Sequence, residues 1–564
     1  MRPTSSQKTF YLFRHLGQNN KISGQKSNAR MGKMSATGRK RGEVVLTILT
    51  FGLTLLALLL AYFRVPIGVS GEWSWGYCED RLPERLIIPG AFLALYLVVV
   101  FWALAVKKRA AGDQAARFNL MSRPGRAGVL LVMVLLLFCL QITAPYLSGY
   151  GATETFITMS LPHSTGAYFI ESQRIEDPES YLRGFAGRIS LYPWHEFGGT
   201  KIKVHPPGNT LFIYYCIEFA RAHPRMSAWF NRLLFQMYPH YQTFYQSGLR
   251  GFGEPTFAGL FLAAFTLYLI GSLTLTMAYF LTRQIAEKET AFFAAAFVGL
   301  IPSILLFSPA FDQVLPALAL LYSFFLIKAL RSRRLVFSFL AGFTLSLWSF
   351  LQLSFLVMLA LTVFALVLYF FALPGRKKRL KENFGATLKI AASLGAGFLV
   401  PNLLLFLLHY NAFQVFWINL RENSEIYTFL PRTYWKWALL AIPDFFLFMG
   451  IPLAGIFLWA VPSAWRALVR EKRLEIVSLS SLALMLTLFL IAVWGQNKGE
   501  VARLLIFLGP IATILGLVIC RKRALLSRKT LLTLLILLAV QLILFRLFFD
   551  IWYSQDLIRR GDFG

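Results

Sequence analysis

The sequence predicts an all-α membrane protein with about 13 transmembrane helices and one large loop on the non-cytoplasmic side. Hydrophobic residues make up 57% of the 564-residue chain, and its mean hydropathy is +0.57. A soluble protein has no core that could bury so much apolar surface, and so lipid must solvate most of it. Apolar runs of about 20 residues, long enough to cross the hydrocarbon as helices, recur from Val44 to Phe548. The chain is therefore predicted to cross the membrane many times.

The predicted spans follow from these apolar runs. The stretch 335–372 is too long for one helix, and so we predict two helices that turn near Phe350–Gln352. The short helical stretch 208–222 contains Glu218 and leads into a polar segment, which predicts a juxtamembrane or re-entrant helix rather than a span. The predicted spans cover residues 44–63, 86–106, 127–147, 257–282, 290–309, 313–329, 335–350, 353–372, 386–408, 436–460, 475–494, 503–520 and 530–547.

The distribution of charge predicts the orientation. Most of the 57 basic residues lie in the N-terminal tail and in the loops that a cytoplasmic N-terminus would place on the inner side. Most of the 27 acidic residues lie in the opposite loops. Because an excess of Lys and Arg marks cytoplasmic loops, the N-terminus is predicted inside and the C-terminus outside. The same asymmetry accounts for the net charge of +30 without a nucleic-acid partner.

This topology divides the chain into four parts. Residues 1–43 form a basic cytoplasmic tail, for which an organellar transit peptide is the alternative. Residues 44–126 hold two additional N-terminal transmembrane helices, and residues 127–529 form the membrane core with a large outer loop over 148–256. Residues 530–564 hold the last transmembrane helix and an outer tail.

Ionisable residues gather in the outer segments. Within the spans we identified only Lys389 and Arg546, each close enough to a span end to reach the interface. Ion-coupled transporters keep carboxylates or histidines near the midplane, and so a transporter of lipid or polysaccharide is an alternative that this pattern does not favour. Cys78 and Cys216 fall on the outer side, where a disulfide between them is an open alternative.

Four stretches of the sequence resemble motifs of one known superfamily. The run Lys203-Val-His-Pro-Pro-Gly, before a short helix, resembles the His-Pro-Pro or Lys-Pro-Pro motif of the GT-C glycosyltransferases. Ala291–Asp312 is similar to the helix–Pro–Asp stretch that follows in those enzymes, and Gly499-Glu-Val-Ala-Arg503 to a Gly-Glu-Val-x-Arg motif of bacterial members. Ala167–Leu182 looks like the start of the first outer loop in a bacterial branch. The resemblance covers roughly residues 129–503 and includes relatives such as the protein O-mannosyltransferases and the lipid A aminoarabinose transferase.

The resemblance implies a function. Such an enzyme takes a sugar from a polyprenyl-phosphate carrier and passes it to a lipid, glycan or protein acceptor on the non-cytoplasmic face. The bacterial plasma (inner) membrane is the expected location, and the endoplasmic reticulum would give the same sidedness. Some members use a divalent metal and others do not. No Cys/His spacing in this sequence predicts a metal site, and so the need for one stays open.

The sequence departs from the family pattern at one place. An alignment on Tyr168 puts Ser164 and Thr165 where the family has an Asp-Glu pair. We therefore predict Glu171 as the catalytic base, with Glu154 as the second choice. A catalytically inactive protein with the GT-C fold is the alternative that this departure raises.

The candidate substrate-binding residues come from three outer segments, and each has a purely structural alternative. His-Pro-Pro could simply begin a helix, Asp312 could cap one, and Glu500 with Arg503 could form a surface ion pair. Cations can hold a phosphate, and polar side chains can shape the sugar site. The residues predicted to bind substrate are His205, Asp312, Lys498, Glu500 and Arg503.

Overall fold

The computed structural model describes residues 36–551, with gaps at 80, 82, 110–122, 149–150, 162–164, 192–198, 238–252, 373–375, 430–431, 472–474 and 496–497. Residues 1–35 of the tail predicted over 1–43, and Ser164, lie outside the described part. The helices, in chain order, are α1 Ala36–Tyr62, α2 Ile87–Arg109, α3 Arg123–Thr143, α4 Glu154–Ser160, α5 Gly166–Ser172, α6 Pro178–Leu191, α7 Gly199–Val204, α8 Gly208–Ala222, α9 Pro224–Met237, α10 Glu254–Ile285, α11 Lys288–Val298, α12 Pro302–Leu306, α13 Val314–Ser332, α14 Leu335–Leu351, α15 Phe355–Ala372, α16 Arg376–Leu407, α17 Ala412–Phe429, α18 Tyr434–Met449, α19 Ile451–Val469, α20 Ile476–Trp494, α21 Val501–Leu504, α22 Leu508–Lys522 and α23 Arg528–Phe548.

Four short strands and four 3₁₀ turns complete the described elements. The strands are β1 Gly68–Val69, β2 Trp73–Ser74, β3 Gly76–Tyr77 and β4 Phe549–Asp550. β1 pairs with β2, and β3 with β4, in both cases antiparallel. The 3₁₀ turns are Pro83–Leu86, Ala144–Leu147, Gly151–Thr153 and Phe311–Gln313.

The described part of the chain holds nine helices that are long and apolar enough to cross a membrane. Two further apolar helices, Leu335–Leu351 and Phe355–Leu368, are shorter. The protein is thus an all-α, multi-pass membrane protein, as predicted. The candidate spans are Lys40–Tyr62, Pro83–Ala105, Gly125–Leu147, Glu254–Ile285, Phe311–Ser332, Thr387–Leu407, Ile451–Val469, Ile476–Trp494 and Arg528–Phe548.

Three predicted spans are each divided between two helices, and the one over 503–520 is interrupted between Leu504 and Leu508. The span predicted over 436–460 breaks at Gly450, which adopts φ 105° between α18 and α19. The span predicted over 290–309 breaks between Val298 and Pro302, where proline begins α12. The breaks at Gly450 and Pro302 lie next to each other in the structure, since a Cβ on Gly450 would lie 3.2 Å from the Pro302 ring. The predicted break near Gln352 is confirmed, because α14 ends at Leu351.

The bundle has one large apolar core and one smaller core. Residues 508–520 of α22 are all buried, and so this helix lies at the centre of the large core. The smaller core holds buried side chains of α4, α5, α6, α8 and the first half of α10. We call the region formed by α4 to α9 the loop side of the molecule. Helix α8 has 15 residues and packs along the start of α10.

The N-terminal helices are packed into this bundle. Helix α1 contacts α19 and α23, and α2 contacts α3. Pairing of β3 with β4 joins the segment between α1 and α2 to the end of α23. All four cysteines are free, and so the disulfide between Cys78 and Cys216 is absent from this structure.

Candidate functional site

A polar cavity lies where the loop side meets the connections into α13 and α21. Its empty volume is about 420 Å³, including the open mouth. Helices α5, α7 and α8 contribute one wall, and the ends of α14 and α21 contribute the other. The lining residues are Thr165, Tyr168, Lys201, His205, Asn209, Ala310, Phe311, Asp312, Leu315, Leu351, Gln352 and Arg503.

The Pro-Pro-Gly sequence places α8 against the cavity. Pro207 is the N-cap of α8, which begins at Gly208. A Cβ on Gly208 would lie 2.3 Å from the carbonyl oxygen of Phe350, and so glycine is required for α8 to approach the end of α14 this closely. Asn209 then donates a hydrogen bond to the Leu351 carbonyl at 3.3 Å. The motif thereby brings His205 beside the residues that follow α14.

His205 presents a hydrogen-bond acceptor to the cavity. Its Nδ1 lies 2.9 Å from the carbonyl oxygen of Lys201. A carbonyl only accepts, and so Nδ1 carries the proton and Nε2 of the neutral ring has the lone pair. Burial lowers the pKa of His205 to about 4, which keeps the ring neutral near pH 7. The ring of Tyr168 meets the imidazole edge-on at 5.8 Å between centroids.

Lys201 is a cation whose charge is sensitive to the contents of the cavity. Burial, together with the nearby charge of Arg503, lowers its pKa to about 7. The carboxylates of Asp312 and Glu500 act in the opposite direction. An anion bound in the cavity would raise this pKa, because it would stabilise the protonated amine.

Arg503 lies between two carboxylates. Its Nη2 is 2.6 Å from Glu500 Oε2, and its Nε is 4.0 Å from Asp312 Oδ2. Gln352 donates a hydrogen bond to Asp312 Oδ1 at 3.3 Å. The Arg503 side chain is 18% exposed, and it lines the cavity.

The segment 498–503 is shaped by unusual backbone angles. Gly499 has φ 104° and Glu500 has φ 55°, both in the left-handed region. A Cβ on Gly499 would lie 2.3 Å from Arg432 Nη1, which itself donates to the Lys498 carbonyl. The Lys498 amide donates to the Tyr427 hydroxyl at 2.8 Å, and its ammonium lies over the Tyr427 ring. Lys498 is therefore next to the site but does not line the cavity.

The two predicted bases lie elsewhere. Glu171 is fully buried on α5, where its carboxylate meets Arg188 at 3.3 Å and Arg174 at 3.6 Å. Glu154 is also buried and forms an ion pair with Arg546 of α23. Neither carboxylate lines the cavity, since ion pairs with arginines hold both on other surfaces of their helices.

Of the seven predicted site residues, the structure brings His205, Asp312 and Arg503 into one cavity, with Glu500 attached through Arg503. Thr165, which the sequence alignment predicts to stand in place of an acid, also lines it. Lys203 does not, because its ammonium is buried against Glu422 at 2.7 Å and anchors α7 to α17.

Sequence reasoning missed some cavity residues and one buried acid. Lys201 was recognisable, since it lies four residues before His205, one helical turn away. Gln352 had no sequence signal beyond its place at a predicted turn. Asp444 is an acid inside the span predicted over 436–460, in addition to Lys389 and Arg546, which the sequence analysis identified within spans.

The cavity residues fit a metal poorly. Among the residues that the structure describes, no group of three or more His, Cys, Asp or Glu side chains could hold a metal ion. The cavity pairs Asp312 with His205 but surrounds them with the cations Lys201 and Arg503. This donor set suits an anion better than a divalent cation.

Fold and site together define a multi-pass, all-α membrane protein with a polar cavity beside its loop side, lined by two cationic side chains and one carboxylate. Comparison with protein-family models and with curated proteins finds no match for the chain.

Proposed function

We propose that the protein is a GT-C-like membrane glycosyltransferase that moves a sugar from a polyprenyl-phosphate carrier to an acceptor. The proposal rests on one observation: His205, Asp312 and Arg503, from three distant motifs, line the same cavity. Residues that only began a helix, capped a helix or formed a surface ion pair would have no reason to converge. The GT-C resemblance predicts such convergence at the active site.

The proposal includes the sidedness. About 13 spans with a cytoplasmic N-terminus would place the loop side, and with it the cavity, on the outer face of the plasma membrane. The two shorter apolar helices α14 and α15 add to the nine longer ones in this arrangement. The donor's lipid tail would remain in hydrocarbon while its sugar phosphate reached the cavity.

The cavity has the groups that this transfer needs. An acceptor oxygen forms a bond to the anomeric carbon, the bond from that carbon to the phosphate oxygen breaks, and the electron pair leaves with the lipid phosphate. Arg503 and Lys201 would hold the phosphate and stabilise its growing charge. The transition state has oxocarbenium character, which a nearby carboxylate also stabilises.

Asp312 would take the acceptor's proton. It is the carboxylate that lines the cavity, whereas Glu171 and Glu154 are held by arginines outside it. His205 Nε2 would accept a hydrogen bond from a hydroxyl of the sugar or the acceptor. This assignment replaces the base that the sequence predicted.

Transfer from radiolabelled polyprenyl-phosphate sugars in proteoliposomes tests the proposal. We expect Arg503→Ala and Asp312→Asn each to lower the rate about 100-fold or more, as removal of a single transition-state contact typically does. Glu179→Gln is the matched control, because Glu179 forms an exposed ion pair with Arg183 on α6, away from the cavity lining. Equal transfer rates for the unmodified protein and the three variants would refute the proposed site.

A second candidate function has one observation in its favour. Thr165 lines the cavity at a position where GT-C enzymes have an acid, which is what a protein that binds the donor without transferring the sugar would show. The Thr165→Glu variant distinguishes an active transferase from a protein that only binds the donor. Transfer that appears only in Thr165→Glu would establish the inactive fold, whereas transfer by the unmodified chain would exclude it.

A further inference from the structure

The segment between the first two helices reaches the candidate site. We call residues 68–77 the N-terminal hairpin, since β1 and β2 pair within it. The carboxylate of Glu72 at its tip accepts hydrogen bonds from the Thr433 amide at 2.7 Å and from Trp437 Nε1 at 2.8 Å. The hydroxyl of Thr433 and the ammonium of Lys436 also donate to it. The hairpin is thereby fastened to the start of α18.

Trp75 extends this contact toward Arg503. Its side chain is 3% exposed, and its Nε1 donates to Asp444 Oδ1 at 2.8 Å. The other oxygen, Asp444 Oδ2, accepts the amide of Ala502 at 2.9 Å. Ala502 immediately precedes Arg503 in α21, and so one carboxylate connects the hairpin to the backbone of the cavity arginine.

Helix α21 needs such support from outside. It spans only Val501–Leu504, and a single helical turn is unstable by itself. Its N-cap, Glu500, has φ 55° and makes no side-chain hydrogen bond to the backbone of the helix. Asp444 therefore acts as the anionic cap of the first turn. The Trp75 ring also packs on Phe307, which lies ahead of the turn bearing Asp312.

We propose that Trp75 is a positioning residue of the candidate site: through Asp444 it sets the orientation of α21 and hence the direction of the Arg503 guanidinium. The coupling itself is independent of the reaction, whereas its effect on catalysis rests on the proposed transfer from a lipid phosphate. The segment that joins the two additional N-terminal helices thus supports the candidate site.

Hydrogen–deuterium exchange of the purified protein in nanodiscs tests the coupling without any substrate. In Trp75→Phe, we expect the peptide containing the Ala502 amide to exchange about tenfold faster, as loss of a hydrogen bond to a charged group predicts. Tyr96→Phe is the control, since it removes a buried hydrogen bond from α2 to the Ala296 carbonyl. Asp444→Asn, which preserves shape, provides a second variant if Trp75→Phe folds poorly. Unchanged exchange in both variants overturns the proposal.

A double-mutant cycle tests the consequence for catalysis. We expect Trp75→Phe to lower kcat about tenfold with little change in KM, and to have no further effect when Arg503 is already alanine. An equal loss in both backgrounds would show a general structural role and overturn the proposal. Absence of transfer by the unmodified protein refutes the proposed function instead, while the exchange experiment still decides the coupling.

Discussion

Lys201 and His205 lie four residues apart, and both lose hydration in the cavity, with different results. The pKa of His205 falls to about 4, and so the ring is neutral throughout the physiological range. The pKa of Lys201 falls to about 7, and so its charge depends on pH and on bound anions. A neutral acceptor beside a titratable cation suits a ligand that carries both hydroxyl groups and a phosphate.

The Lys201 pKa predicts how donor binding depends on pH. A bound phosphodiester raises this pKa, and so binding takes up a proton at pH values above about 7. Affinity should be constant below pH 7 and should fall by up to about tenfold per pH unit above it. Isothermal titration of a polyprenyl-phosphate sugar from pH 6 to 9 measures this.

Lys201→Arg is the matched control for that measurement, because arginine stays protonated across the range. The variant should bind the donor with little dependence on pH. If donor affinity falls equally steeply with pH in both proteins, Lys201 is not the cause of the pH dependence.

At the scale of single elements, glycine contacts decide how closely helices approach at the site. Gly208 allows α8 to touch the Phe350 carbonyl, and Gly499 allows the turn before α21 to pass Arg432. The breaks at Gly450 and Pro302 likewise end helices that apolar composition alone would continue. Local backbone chemistry therefore shapes the cavity as much as its polar residues do.

Gly208→Ala should disturb both stability and the site. The new methyl group would lie 2.3 Å from a backbone oxygen, and so α8 must shift, at a cost of about 1–3 kcal/mol. We expect a lower thermal midpoint and weaker donor binding.

Gly187→Ala on α6 is the control for this substitution, because nothing lies within 4 Å of its Cβ position. It should be neutral or stabilise by up to about 1 kcal/mol, since alanine favours helix. A thermal midpoint for Gly208→Ala equal to that of Gly187→Ala would contradict the proposed close contact.

At the scale of the whole molecule, the loop side and later helices line one site, and the N-terminal helices pack against the later helices. Helix α1 packs on α19 and α23, the N-terminal hairpin binds α18, and α7 is anchored to α17 by Lys203 and Glu422. Regions far apart in the chain therefore depend on one another. The predicted orientation decides which face of the membrane the cavity opens to.

Labelling with a membrane-impermeant maleimide tests that orientation. In a background whose four cysteines are changed to alanine, Ser190→Cys on α6 should react from outside intact cells, because the loop side is predicted there. Ser332→Cys, exposed at the end of α13, should react only after permeabilisation. The reverse result would invert the topology and remove the proposed access of a lipid-linked donor from the outer face.

The sequence by itself determined the membrane class, most of the helices and the motif residues His205, Asp312 and Arg503, because hydropathy, proline, glycine and short motifs act locally. Only the tertiary structure decided which candidates share a cavity. The sequence predicted Glu171 as the base and Glu154 as the second choice, but in the structure Arg188 and Arg546 bind these carboxylates. Trp75 had no local signal, since its hydrogen bond joins it to Asp444, 369 positions away in the chain. Such long-range contacts depend on how helices pack, and packing is a property of the whole chain.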